Sequence, residues 1–189
     1  MEKAVFSTEE IGRIFGRGKV NLNKIEHVLN ISLTVSKENG INTITVKSRK
    51  KTEAFNEYTA LNVLEALAFG FDIDTALQLK DIKVMFRRVD IKAYVKGPRV
   101  SVIKGRIIGL EGKTKKTLEL VSGCDIVVQE HSVGIIGWAE NVDVASSAIL
   151  ALIRGAPTPR VFANLERKMA ELRALGEENI EKLIETEKK

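Results

Sequence analysis

The chain has 189 residues, 44% of them hydrophobic and 29% charged, and 30 Lys and Arg against 25 Asp and Glu give a net charge of +5. That length admits one large domain or two small ones, and the composition excludes a long disordered tract. A lone Cys124 excludes an internal disulfide, Met1 to Ser7 lacks a signal-peptide layout, and no apolar run reaches the roughly 18–20 residues of a membrane span, so a cytoplasmic protein is expected.

Lys3 to Ser7 reads as a strand, and Thr8-Glu-Glu10 as a capped helix start leading to about Phe15. Gly16-Arg-Gly-Lys19 is a tight basic turn. A second helix follows, with Leu22, Ile25, Val28 and Leu29 on one face. Ile31, Leu33 and Val35 alternate with polar residues as a strand does. Glu38-Asn-Gly40 turns the chain into a second strand over Ile41 to Val46. From Thr52 to about Phe71, Tyr58, Leu61, Leu64, Leu67 and Ala68 mark an amphipathic helix.

A partly helical connector, Asp72 to Ile82, leads to a second round. Val84 to Val95 is strand-like until Gly97-Pro98 breaks it, and Val100 to Ile108 is helical. Gly109-Leu-Glu-Gly112 forms a turn, and Lys113 to Val121 a helix that Ser122-Gly123 ends. Strands at Ile126 to Val128 and Val133 to Ile136 precede a closing helix from Asn141 to Arg154. Superposing Gly16 on Gly109 brings Ile25 onto Leu118, Val28 onto Val121, Leu33 onto Ile126 and Val35 onto Val128. The match lies in pattern and element order, which reads as an old duplication. Past Gly155-Ala-Pro157, a charged helix interrupted near Gly176 carries a stripe of Val161, Phe162, Leu165, Met169 and Leu172. It either packs back on the body or serves a partner.

Each glycine turn sits between two helices, where a backbone without Cβ can approach another backbone and the next helix offers its positive end to a phosphate. Arg13, Arg17, Lys19 and Lys24 surround the first turn. Lys104, Arg106, Lys113, Lys115 and Lys116 surround the second. The modest basic excess is concentrated at these two places.

The segment Arg106-Ile-Ile-Gly-Leu-Glu-Gly-Lys-Thr-Lys-Lys-Thr-Leu-Glu119 resembles the Ile-Gly-x-x-Gly segment of a type I KH domain. Val133-Gly-Ile-Ile-Gly-Trp-Ala-Glu-Asn-Val142 and Arg154-Gly-Ala-Pro157 carry the resemblance further, to archaeal members of a two-KH ribosome-assembly family. Its eukaryotic members partner the nuclease that matures the 3′ end of small-subunit rRNA. The resemblance covers roughly residues 1 to 170 and is most specific from Lys104 to Pro157. It implies an α+β fold of two tandem type I KH domains, each strand-helix-GxxG-helix-strand-strand-helix. The first spans 1–72 with a degenerate loop, the second spans 83–156, and a helical extension follows over 157–189. It also implies single-stranded RNA binding near the 3′ end of small-subunit rRNA. Contacts with the alpha subunit of translation initiation factor two or with the rRNA-processing nuclease are implied as well.

In KH domains the GxxG loop clamps about four nucleotides of backbone, and an aliphatic groove reads the bases. The RNA-binding set implied here is Lys104, Arg106, Ile108, Gly109, Leu110, Glu111, Gly112, Lys113, Lys115 and Lys116. Gly16, Arg17, Gly18 and Lys19 form the weaker first loop, because Lys19 stands where the second glycine belongs. Ile107, Leu118, Ile126 and Val128 line the groove floor or the core beneath it. The low aromatic content argues against folds that read RNA by base stacking.

Rival chemistries find little support. Gly112-Lys113-Thr114 ends like a P-loop, but Ile107 stands where the opening glycine belongs. His27 and His131 fall in different halves with no metal-ligand spacing, and Cys124 reads as a small core residue. No cofactor, metal or catalytic constellation is expected. The competing readings are a protein-interaction scaffold with incidental RNA contact, and general RNA chaperoning or DNA binding.

Overall fold

The computed structural model describes residues 2–38, 41–49 and 54–187, apart from the side chains of Arg17, Glu38, Ala54 and 177–187. The predicted turn at Asn39-Gly40 and the predicted helix start at Thr52 fall outside the described residues. The chain divides into two compact units, Met1–Phe86 and Arg87–Lys189.

In the first unit, β1 (Glu2–Phe6) leads to α1 (Thr8–Phe15), a 3-10 turn (Arg17–Lys19) and α2 (Val20–Leu29). Then come β2 (Ile31–Glu38), β3 (Ile41–Ser48), α3 (Ala54–Phe69), α4 (Ile73–Leu77) and a 3-10 turn (Gln78–Lys80). The sheet order is β1-β3-β2, and both pairings are antiparallel, with Ile44 opposite Ala4 on one side and Val35 on the other. Period-2 burial turns Asn42, Ile44 and Val46 of β3 inward, where α3 covers them. Buried Asn42 is satisfied by Nδ2 donating to the Phe6 carbonyl at 3.4 Å.

Ser7, rather than Thr8, caps α1. Its Oγ accepts from the Glu10 amide at 3.2 Å while Glu10 accepts from the Ser7 amide at 2.7 Å, a reciprocal capping box. Tyr58 also departs from expectation. It is exposed, whereas the expected Leu64, Leu67 and Ala68 are buried, and Thr59, Ala60, Val63 and Ala66 join them on that face. Asp72 caps α4 by accepting from the Asp74 and Thr75 amides.

The second unit repeats the order. β4 (Val84–Asp90) contains the boundary between the units and leads to α5 (Arg99–Ile108), a 3-10 turn (Leu110–Gly112) and α6 (Lys113–Ser122). Then come β5 (Asp125–Val128), β6 (Ser132–Trp138), α7 (Ala139–Ile153) and α8 (Thr158–Glu187). Its sheet order, β4-β6-β5, matches that of the first unit. Strand β4 stops at Asp90, short of the predicted Val95. There the Asp90 carboxylate accepts the Lys92 amide, and the Tyr94 and Val95 amides both turn back to the Ile91 carbonyl.

Helix α8 is continuous through Gly176, against the predicted break. A glycine in an exposed helix interior costs only about 1 kcal/mol, too little to interrupt it. Its stripe packs on α6 and α7, burying Val161, Leu165 and Met169. Leu165→Ala is therefore expected to cost roughly 2–3 kcal/mol in urea unfolding. Unchanged stability would mean that α8 is not part of the body.

Candidate nucleic-acid interface

The two glycine turns follow one backbone path. Gly16 (φ 63, ψ −173) corresponds to Gly109 (φ 74, ψ 174), and Gly18 (φ 67, ψ 23) to Glu111 (φ 52, ψ 26). Lys19 (φ 63, ψ 20) then corresponds to Gly112 (φ 75, ψ 10). Two successive left-handed residues thus close each turn, and a side chain in that conformation costs about 1–2 kcal/mol. Lys19 and Glu111 each bear that strain once.

The first position is constrained by contact as well as by φ. A Cβ on Gly109 would lie 2.2 Å from Thr114 Oγ1 and 2.7 Å from the Thr114 amide nitrogen. At Gly112 a Cβ would meet nothing within 4 Å. That surface is open to an approaching backbone, whereas Lys19 places a long side chain on the same surface of the first turn. No side chain caps the start of α6, whose positive end follows directly after Gly112.

The charges divide the two turns further. Around the first, Arg13 pairs with Glu9 and donates to the Ala68 carbonyl at 3.1 Å, and Lys24 pairs with Asp74. Lys19 Nζ rests 5.7 Å from the centre of the Phe15 ring. The Arg17 side chain lies outside the described residues.

Around the second turn, the side chains of Lys104 and Lys116 make no hydrogen bond or ion pair among the described residues. Lys113 meets Glu111 only at 3.6 Å, with both side chains exposed. Two of the predicted contacts carry structural duties. Arg106 donates to the carbonyls of Leu152 (3.1 Å), in the last turn of α7, and Ala156 (2.6 Å), just past its end. Lys115 pairs with Glu119, whose carboxylate also accepts the Ile126 amide. Lys104, Lys113 and Lys116 are the cations best placed to meet a ligand.

Leu110 is 78% exposed at the loop tip. Of the predicted groove residues, Ile107, Leu118 and Ile126 are core, while Ile108 and Val128 are half-buried and able to touch a ligand. Thr114, which fixes Gly109, is not marked by charge or spacing. Only the P-loop-like string containing it draws the eye.

Residues 85–170 match the model of the eukaryotic type KH-domain (KH-domain type I). A KH domain-containing protein of Methanocaldococcus jannaschii is 28% identical over 168 residues, covering 87% of this chain and 72% of that one. The pre-rRNA-processing protein pno1 of Emericella nidulans is 32% identical over 142 residues, covering 69% and 55%. The crystal structure of Dim2p from Pyrococcus horikoshii superposes with a TM-score of 0.76 at 27% identity, covering 88% and 99%. Residues 85–170 belong to the type I KH-domain family, and the chain as a whole is similar to Pno1 and Dim2 proteins.

A second Pyrococcus horikoshii structure, that of an a/eIF2alpha-aDim2p-rRNA complex, shares the fold at TM-score 0.80 and 24% identity, covering 90% and 94%. Gly109–Gly112 lies inside the segment matched to the KH family, and Gly16–Lys19 lies outside it. The chain spans only about half the length of the fungal Pno1 relative. Among the described residues no helix is long and apolar enough to cross a membrane, and no cluster of three or more His, Cys, Asp or Glu is placed to hold a metal ion. Burial pushes the Cys124 thiol up to about 11, and its Sγ packs where a Cβ on Gly137 would sit.

Proposed function

We propose that this chain is a single-stranded RNA-binding factor of ribosome biogenesis, built from two tandem KH domains, 1–72 and 83–156, and acting in the cytoplasm by binding rather than catalysis. The second domain holds small-subunit rRNA near its 3′ end. Gly109 to Gly112 follow the phosphate backbone, with Lys104, Lys113 and Lys116 neutralising charge and Ile108 and Val128 touching bases. The observation that carries this reading is the contrast between the turns. The second offers open backbone at Gly112 and, among the described residues, unpaired Lys104 and Lys116, whereas the described cations of the first are engaged and Lys19 obstructs its surface. The Pyrococcus complex, which joins Dim2p to rRNA and an initiation-factor alpha subunit, supports the same substrate and a protein partner of that class.

The test is a titration with a labelled copy of the small-subunit rRNA 3′ tail, beside a scrambled copy, at two salt concentrations. Tight binding of the native copy that survives the higher salt is expected. Equal, salt-sensitive binding of both would reduce the contact to charge alone.

One feature favours a second role for the first unit, as a protein-binding platform. A cleft of about 400 Å³ there is lined by exposed Phe55, Tyr58 and Ile82 and edged by Glu65 and Asp81, which suits a partner with apolar and basic side chains.

A further inference from the structure

The two units differ where the first strand meets the first helix. In the first unit that connection is the single residue Ser7, between β1 and α1. In the second it is residues 91–98, between β4 and α5. Loops added to a repeated scaffold are where new contacts are commonly placed.

This loop is ordered from within. Ile91 is buried and its amide donates to the His131 carbonyl at 2.8 Å. The Tyr94 and Val95 amides return to the Ile91 carbonyl, each at 3.1 Å, and Val100 is buried at the far end. What the loop turns outward is Lys92, Ala93, Tyr94, Lys96, Gly97 and Pro98, followed by Arg99. The side chains of Lys92, Lys96 and Arg99 make no hydrogen bond or ion pair among the described residues. The nearest acid in sequence, Asp90, is occupied by the Lys92 amide. Tyr94 is 47% exposed, and the Arg154 guanidinium lies 5.8 Å from its ring centre.

A half-exposed ring backed by a guanidinium and flanked by unpaired cations suits a nucleic-acid base between two phosphates. An acidic peptide would want large apolar anchors, and beyond the ring the loop turns out only Ala93 and Pro98. A purely structural Arg154, placed where a cation meets the negative end of α7, leaves the three loop cations unexplained.

We propose that residues 91–98, with Arg99 and Arg154, form a second single-stranded RNA contact, in which a base stacks on Tyr94 and the neighbouring phosphates meet Lys92, Lys96 and Arg99. The inference rests on the reading that the chain binds single-stranded RNA, and it adds a site separate from the glycine loop.

The experiment measures anisotropy of the full chain with a labelled RNA of about twenty nucleotides copying the small-subunit rRNA 3′ tail, over a series of salt concentrations. Tyr94→Ala is expected to weaken binding roughly tenfold, the scale of one lost base stack, and Tyr94→Phe to restore it. Replacing Lys92, Lys96 and Arg99 together by Gln is expected to lower the salt slope by about 2, at ~0.7 per phosphate contact on a single strand. All of these side chains are exposed, so thermal melts should match the parent chain. Wild-type affinity and slope in both Tyr94→Ala and the triple variant would overturn the second contact while leaving the glycine-loop reading in place. A parent chain that binds no RNA at all would overturn both.

Discussion

Replacing Leu110 and Glu111 together with Asp is expected to weaken RNA binding by about 2 kcal/mol, roughly thirtyfold, with no loss of stability beyond about 0.5 kcal/mol. Leu110 is 78% exposed, and the exposed Glu111 side chain has Lys113, also exposed, as its ion-pair partner among the described residues. The fold therefore gives up no burial. The bound backbone gains a new carboxylate beside its phosphates, and a second is drawn closer to the loop by the shorter side chain. Two charges some 4 Å apart repel by about 1 kcal/mol in water and several times that in a partly desolvated contact. Glu111→Gly should move both readouts the other way. It removes a carboxylate and relieves a left-handed residue at φ 52, worth about 1 kcal/mol of stability. Anisotropy titration beside a thermal melt separates these effects, and full affinity in the double Asp variant would mean that this loop is not the clamp.

Gly109→Ala is expected to cost about 4 kcal/mol, large against the 5–15 kcal/mol that holds a typical domain together. Its φ of 74 with ψ of 174 is a region essentially reserved for glycine, and a methyl there would overlap Thr114 Oγ1 and press on the Thr114 amide. The backbone amide cannot rotate away as a side chain can. Gly112→Ala has the same sign of φ but open space around it, so about 1 kcal/mol is expected there. Urea unfolding of the two variants decides the matter. Equal, small losses would mean that the Gly109 contact with Thr114 relaxes freely.

Periodicity carried most of the fold. Alternation marked β2 and β3, and the spacing of Leu22, Ile25 and Leu29 marked the buried face of α2. The match of Gly16 to Gly109 anticipated the common path of the turns. The misses share a cause, which is that local pattern does not report tertiary partners. Val95 has strand propensity, but the Asp90 carboxylate and the Ile91 carbonyl draw the backbone into a turn. Gly176 looks like a break, but a helix already docked through Val161, Leu165 and Met169 tolerates it. At the site, charge could be counted from the sequence but its engagement could not. Arg106 and Lys115 look equivalent to Lys104 and Lys116 until their carbonyl and carboxylate partners come into view.

The common path of the two turns also bears on how related loops diverge. Lys19 stands where the second turn has Gly112, yet the chain passes through the same left-handed pair as Gly112 and its neighbour. The flanking helices dictate the route, and the residue occupying it bears a strain small enough for the fold to absorb. The shape therefore does not require the signature residue, and a search by motif would overlook a loop that has the geometry without it. Lys19→Gly would place a glycine three residues after Gly16, completing the Gly-x-x-Gly spacing on a backbone that is already in position to use it.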